Sequence, residues 1–464
     1  MTLISSISGI RGTIGGHPGE GLSPIDIAKF SAGYGDWLRE QTGKKSVSVV
    51  LGRDARTSGE MASRIVSGTL LALGIDVIDA GLSTTPTVEM AVIMSKSSGG
   101  IIITASHNPA QWNALKLLNA KGEFLNAEEG MDVLQRASAQ NISFAPADKL
   151  GQYTSCDSYI DKHIDEICNL GIVDTGAIKK AGFKVVVDAV NSTGGIAVPL
   201  LLGKLGVKEI VELHCEPNGN FPHNPEPLPE NMAELADIVV KQKADLGIAV
   251  DPDVDRLALV CEDGEMFGEE YTLVAVADYV LGREKGNAVS NLSSTRALQI
   301  ITERAGGQYA ASAVGEVHVV AKMKETAAVI GGEGNGGVIY PKLHCGRDAL
   351  VGIAIFLTHL AKFGKSASML RSKYPDFFIS KNKVELEKDI DTDHILEAIA
   401  ERYSKYTIDR TDGVWIDFGQ EWVHLRRSNT EPIIRIYAEG DSRTKAESVA
   451  GKILSDISEA MRSR

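Results

Sequence analysis

Cysteine is scarce in this 464-residue chain: five residues, at 156, 168, 215, 261 and 345, with no C-x-x-C pair among them. An odd, dispersed set excludes a disulfide framework and suits reduced thiols in a cytoplasm. Positive charge is in deficit as well. Lys and Arg number 48 against 61 Asp and Glu, and the net charge of −13 argues against nucleic acid or an anionic membrane as partner. Phosphate ligands remain open, because a few local arginines can reverse the potential inside a cleft. Long apolar runs are missing too. None approaches the roughly 18 residues of a membrane span, and no basic segment precedes the short apolar stretch at the start. A soluble, cytoplasmic protein is expected. The chain is longer than one hydrophobic core usually supports, so three or four domains are expected.

What is present is an alternation of strands and helices. Strands are expected over 47–51, 76–80 and 101–104, with an amphipathic helix over 58–73 whose N-cap is Ser58. The pattern returns with strands 184–188, 209–213 and 245–250 and helices near 194–205 and 230–243. A third block has strands 287–291, 308–313 and 327–330 and a helix over 295–305. Such alternation implies β-α-β units and mostly parallel sheets. The last hundred residues differ. Strands 380–387, 413–418, 421–427 and 433–439, with helices 391–403 and 443–462, predict an antiparallel α+β domain after a connection over 366–376.

Each of the three blocks ends in an apolar strand that feeds a polar loop, and ligands of open α/β sheets bind at such strand ends. The first loop, Thr104-Ala105-Ser106-His107-Asn108-Pro109, displays a serine beside a histidine, with Lys116 ten residues on. Serine needs a base, a metal or both to act as a nucleophile. The same stretch also suits an ordinary Asn-Pro turn. The second, Asp251-Pro252-Asp253-Val254-Asp255-Arg256, sets carboxylates at i, i+2 and i+4. Three acids that close repel one another unless a cation neutralises them, and hard oxygen ligands favour Mg²⁺ or Ca²⁺. An EF-hand loop is the competing metal reading, since Glu262 falls at its twelfth position. Arg256 stands where that loop needs glycine, however, and 257–260 continues as apolar strand. A solvated acidic turn is the plainer alternative.

The third loop, Gly331 to Gly337, carries Glu333 and Asn335 among five glycines. A carboxylate and an amide on a closely approaching backbone suit recognition of sugar hydroxyls, although glycine-rich turns are often only structural. Farther on, Arg426-Arg427-Ser428-Asn429-Thr430 gathers an arginine, two hydroxyls and an amide, a set that can bind a phosphate dianion. A charged hairpin tip would read the same way. Near the start, Ser8-Gly9-Ile10-Arg11-Gly12-Thr13 places Arg11 between glycines. Arg53-Asp54-Ala55-Arg56 reads as a cleft contact or a surface ion-pair cluster.

Together these segments resemble the α-D-phosphohexomutase superfamily over essentially the whole chain and in the expected order. The serine loop is similar to its T-x-S-H-N-P signature, and Asn113-Ala114-Leu115-Lys116 to its N-G-x-K extension, with Ala114 for glycine. The acidic loop is similar to D-x-D-x-D-R, the Arg426 segment to R-x-S-x-T, and the Arg11 segment to G-I-R-G-T. The sugar loop departs most, with Asn335 and Gly337 where many members have Ser and His. A similar E-x-N-G-G form occurs in members described as phosphoglucosamine or mixed phosphohexose mutases.

The resemblance implies an α/β fold of three related mixed domains and a smaller C-terminal α+β domain around one central cleft. Their expected limits are 1–150 with the phosphoserine loop, 151–257 with the metal loop, 258–367 with the sugar loop and 368–464 with the phosphate clamp. It implies phosphoryl movement between O6 and O1 of a hexose phosphate, with glucosamine 6-phosphate to glucosamine 1-phosphate the expected conversion and a phosphoglucomutase/phosphomannomutase of mixed specificity the alternative. Ser106 would be the phosphoserine, with Lys116 and His107 as acid/base groups. Mg²⁺ would be held by Asp251, Asp253, Asp255 and Ser106, and substrate by Arg11, Arg256, Glu333, Asn335, Arg426, Ser428, Asn429 and Thr430. A hexose 1,6-bisphosphate would be intermediate and activator, and the protein a monomer or homodimer. A phosphoserine-dependent phosphatase is the nearest rival, and a sugar-phosphate sensor the non-enzyme one. An aspartate-nucleophile phosphatase needs threonine where Asp255 stands.

Overall fold

The computed structural model describes residues 2–6, 9–43, 46–139, 141–386, 391–428 and 433–462. The chain divides into two compact units, Met1–Tyr279 with Asn335–Leu370, and Val280–Gly334 with Arg371–Arg464.

In the first unit, seven strands form one mixed sheet: β1 (Ile4–Ser6), β2 (Gly9–Thr13), β3 (Ser48–Arg53), β4 (Asp76–Leu82), β5 (Gly99–Ile103), β6 (Trp112–Leu118) and β7 (Tyr153–Ser155), in the order β1-β2-β6-β5-β3-β4-β7. The central strands β3 and β5 are apolar along their buried stretches because both faces are covered. Val49, Leu51, Ile101 and Ile103 join one core with Ile27, Trp37 and Val66, while Val50 and Ile102 join the other with Val88 and Val92. Each such buried side chain contributes about 1.5–3 kcal/mol, so slippage of the register by one residue would be costly. β5 and β6 are antiparallel, with Ile103 opposite Leu115 and Ile102 opposite Lys116. The serine loop is therefore the tip of a hairpin, and Lys116 lies on the strand that leaves it.

A second sheet repeats this arrangement with β8 (Lys184–Asp188), β9 (Glu209–Leu213), β10 (Leu246–Val250) and β11 (Leu257–Cys261), in the order β11-β10-β8-β9. β10 runs parallel to β8 and antiparallel to β11, with Val250 opposite Leu257. The acidic loop is thus also a hairpin tip that follows a parallel strand. The EF-hand alternative fails here: β11 occupies the second half of that loop, and Glu262 accepts from Ser368 N at 3.1 Å.

In the second unit, β12 (Asn287–Asn291) runs parallel to β13 (Tyr309–Ser312) and β14 (Ala328–Glu333). The C-terminal part has an antiparallel sheet, with strands Phe378–Glu385, Thr407–Asp409, Val414–Asp417, Trp422–Arg427 and Ile433–Gly440. Helices Thr392–Arg402 and Arg443–Arg462 pack on it around Ile395, Ile399, Ile434, Ile436, Ile453 and Ile457.

The structure corrects some expectations. Ser58 precedes the helix Gly59–Ala72 but its hydroxyl caps nothing; it accepts from Asn113 Nδ2 at 2.9 Å. The connection expected over 366–376 contains a short helix, Ala367–Arg371. The five cysteines are free, and among the described residues no helix is long and apolar enough to cross a membrane.

Candidate active site

The serine loop owes its shape to a buried arginine. Arg56 Nη1 donates to the carbonyls of Pro109 and Trp112 at 2.7 and 3.0 Å, and Nη2 to those of Ser106 and Asn108 at 2.5 and 2.6 Å. Its Nε donates to Asp54 Oδ2 at 3.0 Å, which also accepts from Thr104 Oγ1 at 2.6 Å. Neither sequence reading of the Arg53 to Arg56 segment describes this: the Arg56 side chain is fully buried and serves as a brace. Four loop carbonyls on one guanidinium leave little freedom to the residues between them. Ser106 is held with φ at +48°, a region unfavourable to non-glycine residues.

Ser106 Oγ donates to Asp251 Oδ2 at 2.6 Å and lies 3.3 Å from His107 Nδ1. The three acids of the second hairpin, Asp251, Asp253 and Asp255, are fully buried. Their turn is tied by Asp251 Oδ1, which accepts from the backbone N–H of Asp255 and of Arg256, both at 3.1 Å. Thr85 clips Asp253 twice, with its N–H to the Asp253 carbonyl at 2.8 Å and its hydroxyl to Oδ2 at 2.5 Å. Ser192 and Thr193 hydroxyls both donate to the Pro252 carbonyl, at 2.7 and 2.9 Å. Val254, at the turn's centre, has φ +65° although it is β-branched.

These acids fit a cation. One carboxylate oxygen from each can be drawn from within a 4.8 Å sphere of separations. Asp253 Oδ1 and Asp255 Oδ1 are buried without a hydrogen-bond partner, an arrangement costly unless a ligand supplies the missing charge. Burial, with the negative charges of Asp255 and Asp253, pushes the Asp251 carboxyl well above its ordinary range. Oxygen-only donors suit a hard divalent ion such as Mg²⁺.

The cations of the site are arranged around this triad. Lys116 Nζ donates to Asp253 Oδ2 at 2.6 Å and Asp255 Oδ2 at 3.4 Å. Burial opposes its charge, but Asp253 and Asp255 outweigh burial and raise its pKa. Burial also drives the Asp253 carboxyl up, and Lys116 more than reverses that, leaving it below the usual range. Arg256 Nη1 donates to Glu226 Oε1 at 3.0 Å, and Arg347 Nη2 to Asp255 Oδ2 at 2.7 Å. Burial and then Arg256 push the His107 imidazole well below its ordinary value. Arg11 is on β2, half-buried, close enough to Arg256 for burial and that charge to lower its pKa.

The remaining expected residues divide as follows. Asn335, in the first unit, accepts the Gly337 N–H on Oδ1 at 3.2 Å. In the second unit, Glu333 ends β14 and is buried, with Oε1 accepting from Asn291 Nδ2 at 2.7 Å and Gly315 N at 2.9 Å. Arg426 is in the strand Trp422–Arg427, as the strand expected over 421–427 has it, with Nε 3.6 Å from Asp412 Oδ2. Ser428 is buried, and its N–H donates to the Ile433 carbonyl at 3.0 Å. Asn429 and Thr430 lie outside the described residues.

Sequence reasoning missed Thr85, Ser192, Thr193, Arg56 as a brace, and Arg347. A signal existed for Thr85: Thr84 N-caps the helix Thr85–Ser95, with Pro86 in its first turn. Arg347 had none, because its partner is 92 residues away.

Comparison with known proteins places these loops in one lineage. Models of the phosphoglucomutase/phosphomannomutase α/β/α domains I, II and III match residues 4–141, 159–264 and 268–377, and that of the C-terminal domain matches 383–455. The chain is 38% identical over 442 residues to a phosphoglucomutase/phosphomannomutase of Thermococcus kodakarensis, covering 94% of this chain and 95% of that one. It is 31% identical over 472 residues to a phosphoglucosamine/phosphogalactosamine mutase of Sulfurisphaera tokodaii, covering 98% of each. A solved phosphoglucomutase/phosphomannomutase family protein of Burkholderia thailandensis matches with TM-score 0.82 and 25% identity, covering 100% of this chain and 98% of that one. On four matched domains and relatives of nearly full length, the chain belongs to the phosphoglucomutase/phosphomannomutase family.

Proposed function

We propose that this chain is a phosphohexomutase that moves a phosphoryl group between O6 and O1 of a hexose phosphate through Ser106 and a hexose 1,6-bisphosphate. The observation that carries this reading is the Ser106 hydroxyl 2.6 Å from a buried triad of carboxylates that also holds Lys116. In the first half-reaction, a sugar hydroxyl oxygen bonds to the phosphorus carried by Ser106 as the P–Oγ bond breaks. The proton leaving that hydroxyl is matched by one returned to Oγ, with Lys116, assisted by His107, as its carrier. The bisphosphate turns end for end and its other phosphate returns to Oγ.

Asp251, Asp253 and Asp255 would hold Mg²⁺, joined by an oxygen of the Ser106 phosphate. Mg²⁺ would neutralise charge on the transferring group and loosen the hold of Asp253 and Asp255 on Lys116. Arg11 and Arg256 are proposed to bind substrate, as are Glu333 and Asn335. Arg426 and Ser428, with Asn429 and Thr430, form the proposed clamp for the phosphate that is not reacting.

For the sugar, glucosamine 6-phosphate going to glucosamine 1-phosphate is the first reading. Glu333, held by two N–H donors, is a carboxylate suited to a 2-ammonium group. A mixed phosphoglucomutase/phosphomannomutase is the second, favoured by the 38% identical relative. A coupled assay should show isomerisation of glucosamine, glucose and mannose 1-phosphates, with the highest kcat/KM for the amino sugar. A higher value for glucose or mannose would move the assignment to the second reading. Phosphate release without isomer formation would instead make the protein a phosphatase. Intact mass and peptide mapping should find one phosphoryl group, on Ser106. A stoichiometric phosphate elsewhere, with Ser106 always bare, would sink the covalent route.

A further inference from the structure

Arg347 lies outside every motif of the sequence, yet it reaches the carboxylate triad. Its Nη2 donates to Asp255 Oδ2 at 2.7 Å, and its side chain is only 11% exposed. The same oxygen faces Lys116 Nζ at 3.4 Å, while Asp255 Oδ1 is buried with no donor. Two cations on one oxygen thus fix the carboxylate and leave its other oxygen to a ligand.

The surroundings of Arg347 hold it there. A Cβ at Gly337 would overlap Arg347 Cδ and stand 3.0 Å from its Cγ, so the missing side chain at 337 makes room for the arginine stem. The next residue, Asp348, caps the helix Ala349–Phe363, its Oδ1 accepting from Leu350 N and Val351 N at 2.8 and 3.3 Å. Asp348 Oδ2 meets His163 Nε2 at 3.0 Å and His344 Nε2 at 3.3 Å. His344 Nδ1 lies 3.1 Å from Glu89 Oε2, on the helix Thr85–Ser95 whose first residue clips Asp253. A Cβ at Gly346 would overlap that Glu89 carboxylate. The backbone on both sides of Arg347 is therefore set by buried groups, one of which, Glu89, is on the helix whose Thr85 clips Asp253.

We propose that Arg347 is a positioning residue for the reaction: seated in the room left by Gly337, it orients Asp255 so that Oδ1 is presented to the cation. This rests on the reading of the 251–255 loop as the Mg²⁺ site. A planar guanidinium fixes a carboxylate through directed N–H bonds, whereas an ammonium acts more as a point charge. Partners that orient a metal ligand are worth about 10–100-fold in metal affinity or activity.

Titration calorimetry of the full chain with MgCl₂ alone, without sugar, tests this directly, alongside kcat, KM and melting temperature. Arg347→Met should weaken Mg²⁺ binding about tenfold or more and lower kcat by a similar factor. KM should change little, melting should fall in chelator and less so in MgCl₂, and Arg347→Lys should recover part of these losses. Gly337→Ala, which displaces the stem, should show the same defect and add nothing to Arg347→Met. Unchanged or tighter Mg²⁺ binding by Arg347→Met would overturn the proposal, since the arginine would then only compete with the cation. A loss that tracks melting temperature and is not recovered by lysine would overturn it too. A wild-type chain that binds Mg²⁺ but isomerises no hexose phosphate refutes the proposed function, and the calorimetry still decides the role of Arg347. A wild-type chain that binds no Mg²⁺ overturns both.

Discussion

Ser106 and Val254 occupy left-handed backbone positions at the tips of the two hairpins that bear the serine and the acidic triad. Each costs about 1–3 kcal/mol, and such positions persist only where surrounding contacts over-determine them. Here the contacts are named: the Arg56 guanidinium on one loop, and Thr85, Ser192 and Thr193 on the other. Ser106→Ala should therefore abolish most turnover while the loop persists, because Arg56 and not the hydroxyl shapes it. Its melting temperature should stay within a few degrees of wild type, since one hydrogen bond is worth about 1 kcal/mol. Asp253→Asn removes a ligand charge and the strongest partner of Lys116. It should lower kcat by about 10²-fold or more while KM changes far less, because the lost stabilisation belongs to the transition state. Steady-state kinetics checks both, and a variant that raises KM alone would refute the role given to Asp253.

At the scale of the element, the parallel strands were legible as short runs with an apolar centre, and several of them, such as β5, β8 and β10, are covered on both faces. β8, β9 and β12 match the expected limits residue for residue. β6 was hidden, since Asn113, which reaches Ser58, and Lys116, which reaches Asp253, interrupt its apolar pattern. The grouping of Ser106, Lys116 and the three acids was legible because each motif is local. The braces were not, since Arg56, Thr85 and Arg347 act on partners far along the chain. The helix starts beside the site share one such hidden device. His344 faces Glu89 on Thr85–Ser95, Asp348 at the next helix start, and His163 on the helix Tyr159–Asn169. Burial disfavours its charge, but hydrogen bonds to Asp348 and Glu89 more than offset this and raise its pKa to about 10. An ordinary histidine titrates near 6.5. A folded value above the unfolded one gives stabilisation that is complete below about pH 6.5 and is lost as pH rises toward 10. Melting temperature should therefore fall from pH 7 to 10, with a shallower slope in His344→Gln. Equal slopes in the two proteins would show that this histidine carries no linkage.

For the whole molecule, the first unit contains Ser106, His107, Lys116, the triad, Arg256 and Arg347, and the second contains Glu333, Arg426 and Ser428. A cation at the triad thus binds entirely within the first unit. Buried carboxylates that repel one another weaken that unit when no cation is present, whereas the bound ion stabilises it by mass action. At a Mg²⁺ concentration of 100 times the dissociation constant this amounts to about 2.7 kcal/mol, a shift of several degrees in melting. Calorimetric scans in MgCl₂ and in chelator should differ by that amount for the wild-type chain. Asp251→Asn keeps an oxygen at Oδ1 for the N–H groups of Asp255 and Arg256 but removes one of the repelling charges. In chelator it should melt no lower than wild type, and in MgCl₂ it should gain little. The two curves of the wild type should then bracket the single curve of the variant. If Asp251→Asn melts well below wild type in chelator, the triad is a structural network that needs its charges, and the assignment of the 251–255 loop to a cation fails without reference to any activity.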